Sequence, residues 1–367
     1  MARGAKGRSP LKQLKQLKEL NQLGEWFERQ KRVLPWRDEP TLYRVWISEI
    51  MLQQTQVITV IPYFERFVSR FPSVETLAAA PEEDVLLHWA GLGYYSRARN
   101  IHKAARQIVA AGGFPRTREG WLDVPGVGPY TAGAILSIAL NQPESILDGN
   151  VERVLSRVRR VSRAGGDAAY KNRLWRLSKV FVERAHEQGV RPSVLNQAMM
   201  ELGATVCTPK KPKCLLCPIA SMCRAHQNSE EEAYPPKKKP KEWLAVKEEV
   251  HCIFDSKGRM LLALRRPGEW RAGLWDFPEE SPVAKTKLAR VGKVESKLIV
   301  TRHKITRTAH VWMTKLAISS SVLSASESDG ASLRWISIQH PEVAVGGSLQ
   351  KTLRQIRDTY PEVLPAR

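Results

Sequence analysis

The chain has 367 residues, which is long enough for two or three domains that each bury a core of their own. It carries 58 Lys and Arg residues against 37 Asp and Glu residues, a formal net charge of +21. This excess favours a polyanionic partner, with nucleic acid first. No apolar run approaches the length of a membrane span, so we expect no membrane partner.

Composition divides the chain into four segments. Residues 1–19 form a basic stretch that we expect to be a disordered or fraying arm. Residues 20–226 are predicted to be all-helical, because apolar residues recur every three or four positions between Pro and Gly breaks. Residues 227–243 are rich in Pro, Lys and Glu and are predicted to be a linker that buries nothing. Residues 244–367 alternate as strands do, which predicts an α+β domain.

Some predicted elements are clearer than others. The clearest helices span 43–52, 81–90, 129–140 and 151–161, and the clearest strands span 245–254, 260–265, 296–300 and 310–319.

The first candidate for chemistry is Glu49, in the apolar run 46–52. An apolar surrounding raises the pKa of a carboxyl group, as a proton donor requires. The alternative is an exposed glutamate on a helix face that pairs with Arg44 or Gln53.

A second candidate is the turn Pro125-Gly126-Val127-Gly128-Pro129. Two glycines two residues apart permit a tight hairpin between helices, over about 117–135, and let backbone amides approach a phosphate at a helix start. Taken alone, the same turn can be an ordinary helix connection. About twenty residues further on lies Asp148, which is either an ionised catalytic carboxylate or a simple helix cap.

Four cysteines lie close together with the spacing C-x6-C-x2-C-x5-C: Cys207, Cys214, Cys217 and Cys223. Four thiolates can hold zinc or an iron-sulfur cluster, and the single C-x2-C knuckle favours one 4Fe-4S cluster over a zinc ribbon. Disulfides are disfavoured, because the chain shows no secretory signal and a cytoplasmic location keeps thiols reduced. Cys252, far from this group, is assigned no role.

The hairpin, Asp148 and the cysteine spacing together resemble the helix-hairpin-helix DNA glycosylase superfamily, which includes endonuclease III and the MutY family. Three further stretches resemble the MutY family in order and spacing: 34–37, 45–56 and 91–100. The resemblance covers essentially the whole helical region. It implies a nucleoid-associated, monomeric adenine DNA glycosylase with one 4Fe-4S cluster. Its implied partner is duplex DNA with adenine opposite 8-oxoguanine or guanine.

The resemblance also implies residue roles. Glu49 protonates the departing adenine, and Asp148 stabilises the sugar cation with support from Tyr130 and Asn150. The adenine pocket is implied at Arg37 and Gln197; position 197 is Glu in some family members, so only a hydrogen-bonding role carries over. Contacts with flipped or orphaned bases and with the DNA backbone are implied for Gln54, Thr55, Leu92, Tyr94, Gly126 and Gly128.

Position 130 separates two kinds of glycosylase. Enzymes of the endonuclease III type carry a lysine there, which forms a Schiff base with the sugar and cleaves the strand. A phenol cannot do this, so Tyr130 predicts hydrolysis without efficient lyase activity. The alternatives are an endonuclease III-like glycosylase and lyase that acts on damaged pyrimidines, and a non-catalytic DNA-binding module.

The second domain opens with a stretch, 273–278, that resembles the start of a Nudix-type fold. No glutamate-rich metal box follows, so Mg²⁺-dependent nucleotide hydrolysis is not expected. The family reads 8-oxoguanine with a Phe-Ser-His loop, for which the nearest match here is Ile305-Thr306-Arg307. Thr306 keeps the hydroxyl group, and Arg307 is expected to donate to the purine. His310 offers a competing register.

Overall fold

A computed structural model of the protein describes residues 10–237, 242–266, 268–269, 271–300, 302–315, 332–339 and 341–364. Its contacts divide the chain into two compact units. Unit 1 comprises the residues up to Ala79 together with Asn100–Lys239, and unit 2 comprises Ala80–Arg99 and Pro240–Arg367. The sequence grouped 80–99 with the helical region because their periodicity is helical. Periodicity does not report the tertiary contacts on which the grouping depends.

Helices account for nearly all of the regular structure before the sheet. In chain order they are α1 (Pro10–Gln30), α2 (Pro35–Asp38), α3 (Leu42–Leu52), α4 (Val57–Arg70), α5 (Val74–Ala79), α6 (Glu82–Trp89), α7 (Ser96–Ala110), α8 (Arg118–Leu122), α9 (Pro129–Leu140), α10 (Gly149–Arg159), α11 (Gly166–Glu187), α12 (Pro192–Thr205), α13 (Arg224–Gln227) and, near the C-terminus, α14 (Gly347–Thr359). The four clearest predicted helices are confirmed with small shifts at their ends. None of the helices described combines the length and apolar character that a membrane crossing requires.

The described part of the predicted N-terminal arm is helical. Residues 1–9 lie outside the described residues, and α1 begins at Pro10. Glu19 and Leu20 are buried, and Leu20, Leu23 and Phe27 join the core of unit 1. A leucine at every third position from 11 to 23 already marks a helix face, but the lysines between them suggested an arm.

The core of unit 1 brings α3, α9, α10 and α12 together. Helix α9 packs against α3 and α12, and residues 131–137 of α9 are all buried. Two glycines permit close approaches. A Cβ added at Gly133 would lie 2.3 Å from the Ser145 carbonyl oxygen, and one added at Gly203 would lie 2.5 Å from Cβ of Asn150. Helix α12 therefore lies directly against the start of α10.

The predicted linker is bound to unit 1 over its described first part. The Arg157 guanidinium donates from Nε to the carbonyl oxygens of Glu231 (2.7 Å) and Tyr234 (2.9 Å), and Arg163 donates to that of Pro236 (2.8 Å). None of the described residues of this stretch is fully buried, but Tyr234 packs partly buried against the core of unit 1, so the expectation that the stretch buries nothing fails at that residue. Residues 238–241 lie outside the described residues.

Unit 2 contains a mixed sheet, which confirms the α+β prediction. Its strands are β1 (Leu244–Phe254), β2 (Arg259–Leu264), β3 (Trp275–Asp276), β4 (Leu288–Val300), β5 (His303–Thr314) and β6 (Leu333–Ser337). Their order is β3-β2-β1-β5-β4, with β6 paired to β2; β1 and β5 run parallel and the other pairs run antiparallel. Helix α14 packs on β4, and Leu349 and Ile356 of α14 join the core. Residues 316–319 of the last predicted strand lie outside the described residues.

Strand β5 decides what the predicted lesion-reading residues can contact. Its side chains alternate, so that Arg307 is completely buried and Thr306 is half-buried on the opposite face. The Arg307 guanidinium donates to both carboxylate oxygens of Asp276 (3.0 and 2.8 Å) and to Glu248 (2.8 Å). Burial opposes ionisation of Asp276, but the charge and hydrogen bonds of Arg307, together with the charges of Arg271 and Arg265, outweigh burial and lower the pKa of Asp276. The expectation that Arg307 donates to a purine was therefore wrong.

Substitution of Arg307 by Met should leave the buried Asp276 and the partly buried Glu248 without this cation, while Arg271 still contacts both carboxylates. We expect unit 2 to lose about 3–5 kcal/mol of unfolding free energy, as for other broken buried ion pairs. Thr306→Ala, one residue away on the opposite face, is the matched control and should cost about 1 kcal/mol or less. Urea denaturation of both variants measures the difference, and similar losses would contradict the buried-pair interpretation.

Candidate active site

One cavity of about 480 Å³ lies inside unit 1, within the size range of small-molecule sites. Helices α2, α3, α9, α10 and α12 contribute to its wall. It brings together six side chains that the sequence places far apart: Arg37, Glu49, Tyr130, Asp148, Asn150 and Gln197. Gln54 and Thr55, from the end of α3, line it as well.

Glu49 is the buried acid of this cavity. Its side chain is 5% exposed, and its Oε2 accepts a hydrogen bond from the Tyr130 hydroxyl at 2.6 Å. Burial raises the pKa of Glu49 to about 7; the bond from Tyr130 and the charge of Arg37 oppose the rise, and Asp148 adds to it. The alternative that Glu49 is an exposed partner of Arg44 or Gln53 was wrong. Glu49 can hold or release a proton near neutral pH.

Asp148 is both a helix cap and a cavity residue. As the N-cap of α10, it accepts the Val151 amide on Oδ1 (2.7 Å) and the Asn150 side chain on Oδ2 (3.0 Å). Burial raises its pKa, while those hydrogen bonds and the charge of Arg153 oppose the rise. A helix N-terminus also favours a negative charge. The two readings offered by the sequence are thus compatible.

A hydrogen-bonded chain connects Asp148 with the first cysteine of the quartet. Asn150 accepts from Arg153 Nη2 at 2.8 Å, and the same guanidinium donates from Nε to the Cys207 carbonyl oxygen at 2.7 Å. Arg153 also donates to the Gly203 carbonyl oxygen at 2.6 Å. The start of α10 is therefore fixed to the end of α12 and to the cysteine loop.

Two charged residues that line the cavity, Glu201 and Arg32, were not predicted from the sequence. Glu201 is 1% exposed and accepts from Arg32 (Nε, 2.6 Å; Nη2, 3.0 Å) and from Arg37 Nη2 (2.9 Å). Burial opposes its ionisation, but the two arginines outweigh burial and lower the pKa of Glu201. A signal existed, because Glu201 lies between Met200 and Leu202 in an apolar run like that around Glu49.

The two glutamates therefore differ in charge although they share one cavity. Arg37 links Glu201 to Gln197, because its Nε donates to Gln197 Oε1 at 3.1 Å. Gln197 and Glu201 lie four residues apart on α12 and so share one helix face. Paired titratable groups whose pKa values are moved apart are characteristic of acid–base sites.

The hairpin is present between α8 and α9. Gly126 has φ of +81°, and a Cβ there would lie 2.9 Å from Cβ of Asn100, so the turn requires glycine. Gly128 caps α9 without a side-chain hydrogen bond, and Pro129 follows as its first residue. In the described structure no side chain caps this helix start, so its backbone amides can receive a phosphate.

The remaining predicted DNA contacts divide between the units. Gln54 belongs to unit 1 and has φ of +58°, a left-handed backbone that is uncommon for a residue with a side chain. Leu92 and Tyr94 belong to unit 2. Leu92 is buried, whereas Tyr94 is 42% exposed and the Arg97 guanidinium lies 5.3 Å from the centre of its ring. Of these two, Tyr94 has the ring surface available for stacking.

The four clustered cysteines line one small cavity with Arg157. All are free thiols, so the disulfide alternative is not realised. Arg157 is buried and donates from Nη1 to Cys207 Sγ at 3.2 Å. Burial raises the pKa of Cys214 to about 11 and that of Cys217 to about 12, so cluster binding must displace protons from them. Four sulfur donors around one space, with a cation beside them, fit an anionic iron-sulfur cluster.

Two protein-family models match this chain. Residues 47–179 match the HhH-GPD superfamily of base excision DNA repair proteins, and residues 207–223 match the iron-sulfur binding domain of endonuclease III. The second match confirms the 4Fe-4S cluster predicted from the cysteine spacing.

Individual relatives are described as adenine DNA glycosylases. The human one is 48% identical over 218 residues, which cover 56% of this chain and 39% of the relative. The one from Buchnera aphidicola subsp. Baizongia pistaciae is 38% identical, covering 68% of this chain and 70% of the relative. The one from Schizosaccharomyces pombe is 34% identical, with 69% and 67% covered. The chain thus spans about two-fifths of the human relative's length.

Replacement of Cys217 by Ala should abolish cluster binding, because one of four ligands is lost. Cys252→Ala is the matched control: Cys252 is buried in the core of unit 2, apart from the quartet. Iron content per chain and the visible absorbance of the purified proteins measure the outcome. Full iron loading of the Cys217 variant, or equal loss in both variants, would contradict the assignment.

Proposed function

Because the chain belongs to the adenine DNA glycosylase family, we propose that it hydrolyses the N-glycosidic bond of adenine opposite 8-oxoguanine or guanine in duplex DNA. The observation that carries the proposal is the pairing of Glu49 with Asp148 in one buried cavity, where Glu49 has a pKa of about 7. Glycosidic hydrolysis needs one protonated and one ionised carboxyl group.

Adenine enters the cavity after it is flipped out of the duplex, since a stacked base cannot reach buried groups. Arg37 and Gln197 hydrogen-bond its edge. Glu49 donates its proton to the base, and the electron pair of the glycosidic bond leaves with the adenine. The Asp148 carboxylate stabilises the sugar cation until water adds to the sugar carbon and loses its proton to the Glu49 carboxylate, which restores the acid.

The Tyr130 hydroxyl donates a hydrogen bond to Oε2 of Glu49, and Oε1 can carry the acidic proton while this bond is kept. Burial and the neighbouring carboxylates raise the pKa of Tyr130 far above its usual value, so it stays a neutral donor. It provides no amine for a Schiff base, and no lysine is found among the described residues that line the cavity. The endonuclease III-like alternative, with lyase activity, is therefore disfavoured.

DNA contacts follow from charge and backbone geometry. The net charge of +21 and the amides at Gly126 and Gly128 suit the phosphate backbone. Contacts with the flipped or orphaned bases are assigned to Gln54, Thr55, Leu92 and Tyr94.

The 4Fe-4S cluster, when bound, would cross-link the loop 207–223. Three lysines of this loop are exposed: Lys210, Lys211 and Lys213. In unit 2, the half-exposed Thr306 is the remaining candidate for contact with 8-oxoguanine, and the Nudix likeness stays a prediction.

A duplex with adenine opposite 8-oxoguanine tests the proposal. We expect release of free adenine and strand breakage mainly after alkali treatment, because the abasic site is left intact. Glu49→Gln and Asp148→Asn should lower the single-turnover rate by at least about 100-fold while duplex affinity is kept. No adenine release by the unaltered chain, or full turnover by either variant, would contradict the proposed chemistry.

The single-turnover rate of adenine release should also decrease with rising pH. Glu49 is needed in its protonated form, so the single-turnover rate should fall as the pH rises through about 7. This fall in rate is the alkaline limb of the pH profile. The Tyr130 hydrogen bond lowers the pKa of Glu49, so Tyr130→Phe should move the alkaline limb to higher pH. Duplex affinity measured at each pH separates binding from chemistry. A rate that stays constant up to pH 9 would exclude Glu49 as the acid.

A further inference from the structure

Glu201 is a charged group of the cavity to which the chemistry above assigns no step. We propose that Glu201 is a positioning residue that holds Arg37 against Gln197 and screens the charge of Arg37 from Glu49. The inference rests on the proposed function, since it concerns the same pocket, and it adds a determinant of how that pocket is charged.

The first support is the geometry of Arg37. Three of its five N–H groups are used, to Gln197, to Glu201 and to the Arg32 carbonyl oxygen at 2.9 Å. Its guanidinium carbon also lies 5.2 Å from the centre of the Phe27 ring. Arg37 is thus held on several sides and leaves two N–H groups for a base edge. Without the Glu201 carboxylate, the strongest of these partners is lost.

The second support is the balance of charge. One buried carboxylate is shared by two guanidinium groups, those of Arg32 and Arg37. Neutralising Glu201 would leave the two positive charges of Arg32 and Arg37 side by side at the pocket wall, and Arg37 is the more buried of the two.

The charged and titratable groups that face Glu49 decide whether loss of the Glu201 charge raises or lowers the pKa of Glu49. Tyr130 comes from α9, Asp148 from the start of α10 and Arg37 from α2, and each affects the pKa of Glu49. Glu201 comes from α12 and Arg32 from the segment after α1. Helix α4 adds no charged residue to the described lining of the cavity. The charge of Arg37 lowers the pKa of Glu49, so loss of the screening carboxylate should lower it further.

The test compares three variants of the full chain. Glu201→Gln removes the charge and keeps the shape. Glu201→Asp keeps the charge on a shorter side chain. Glu152→Gln is the matched control, because Glu152 is also a buried, ion-paired glutamate, with partners Lys171 and Arg163, and does not line the cavity.

Single-turnover adenine excision is measured from pH 5 to 9 with duplex affinity alongside. For Glu201→Gln we expect the alkaline limb to move roughly one unit to lower pH, which reduces the rate about tenfold above pH 7. Duplex affinity should stay unchanged, because Glu201 is buried. Glu201→Asp should restore the position of the limb, and Glu152→Gln should leave it in place.

Two outcomes would overturn the inference: an unmoved limb in Glu201→Gln, or the same shift in Glu152→Gln. A separate readout is the pKa of Glu49 followed by ¹³C carboxyl NMR of labelled glutamate, with Glu49→Gln to assign the signal. If the unaltered chain releases no adenine, the proposed function fails, and NMR still decides the inference. If Glu201→Gln does not fold, Glu201→Asp decides: a limb displaced despite the retained charge refutes the screening role.

Discussion

A buried carboxyl group must either find a cationic partner or give up its charge, and this constraint determines how the cavity works. The hydrogen-bond partner of Glu49 among the described residues is the neutral Tyr130, so burial prevails and the pKa of Glu49 rises to about 7. Glu201, in the same wall, has two guanidinium partners and stays ionised. One fold therefore produces an acid and an anion from the same residue type. The division of roles depends on which arginines reach which carboxylate.

The requirement that a buried charge be paired also stabilises the core of unit 2. There the buried cation is Arg307 on β5, and it pairs with Glu248 on the adjacent strand β1 and with Asp276 on β3. A removed partner would leave an uncompensated charge in the core, so the group is strongly interdependent. The comparison shows why a charged residue in a functional-looking motif is not sufficient to assign a function. Burial and pairing decide whether the charge is available to a ligand.

Local patterns predicted much of this protein, and tertiary pairing explains the rest. Glu49 lies in an apolar run, the hairpin glycines are two residues apart, and the cysteines fall within seventeen residues, so each signal is readable in a short window. Glu201 pairs with Arg32 across 169 residues, and no short window contains both. Arg307 was misassigned for a related reason, because the strand alternation that buries it depends on which sheet face meets the core.

The contact at Gly203 bears on how variants of this chain should be interpreted. That position lies in a helix and outside every catalytic motif, and its sequence context looks permissive. Its missing side chain nevertheless lets α12 rest against Asn150, next to the carboxylate at the start of α10. Even alanine at this position would push α12 away from the start of α10. The Asp148 carboxylate would then be displaced relative to Glu49, which lies across the cavity. A substitution at Gly203 should therefore be grouped with active-site substitutions, although it alters no reacting group.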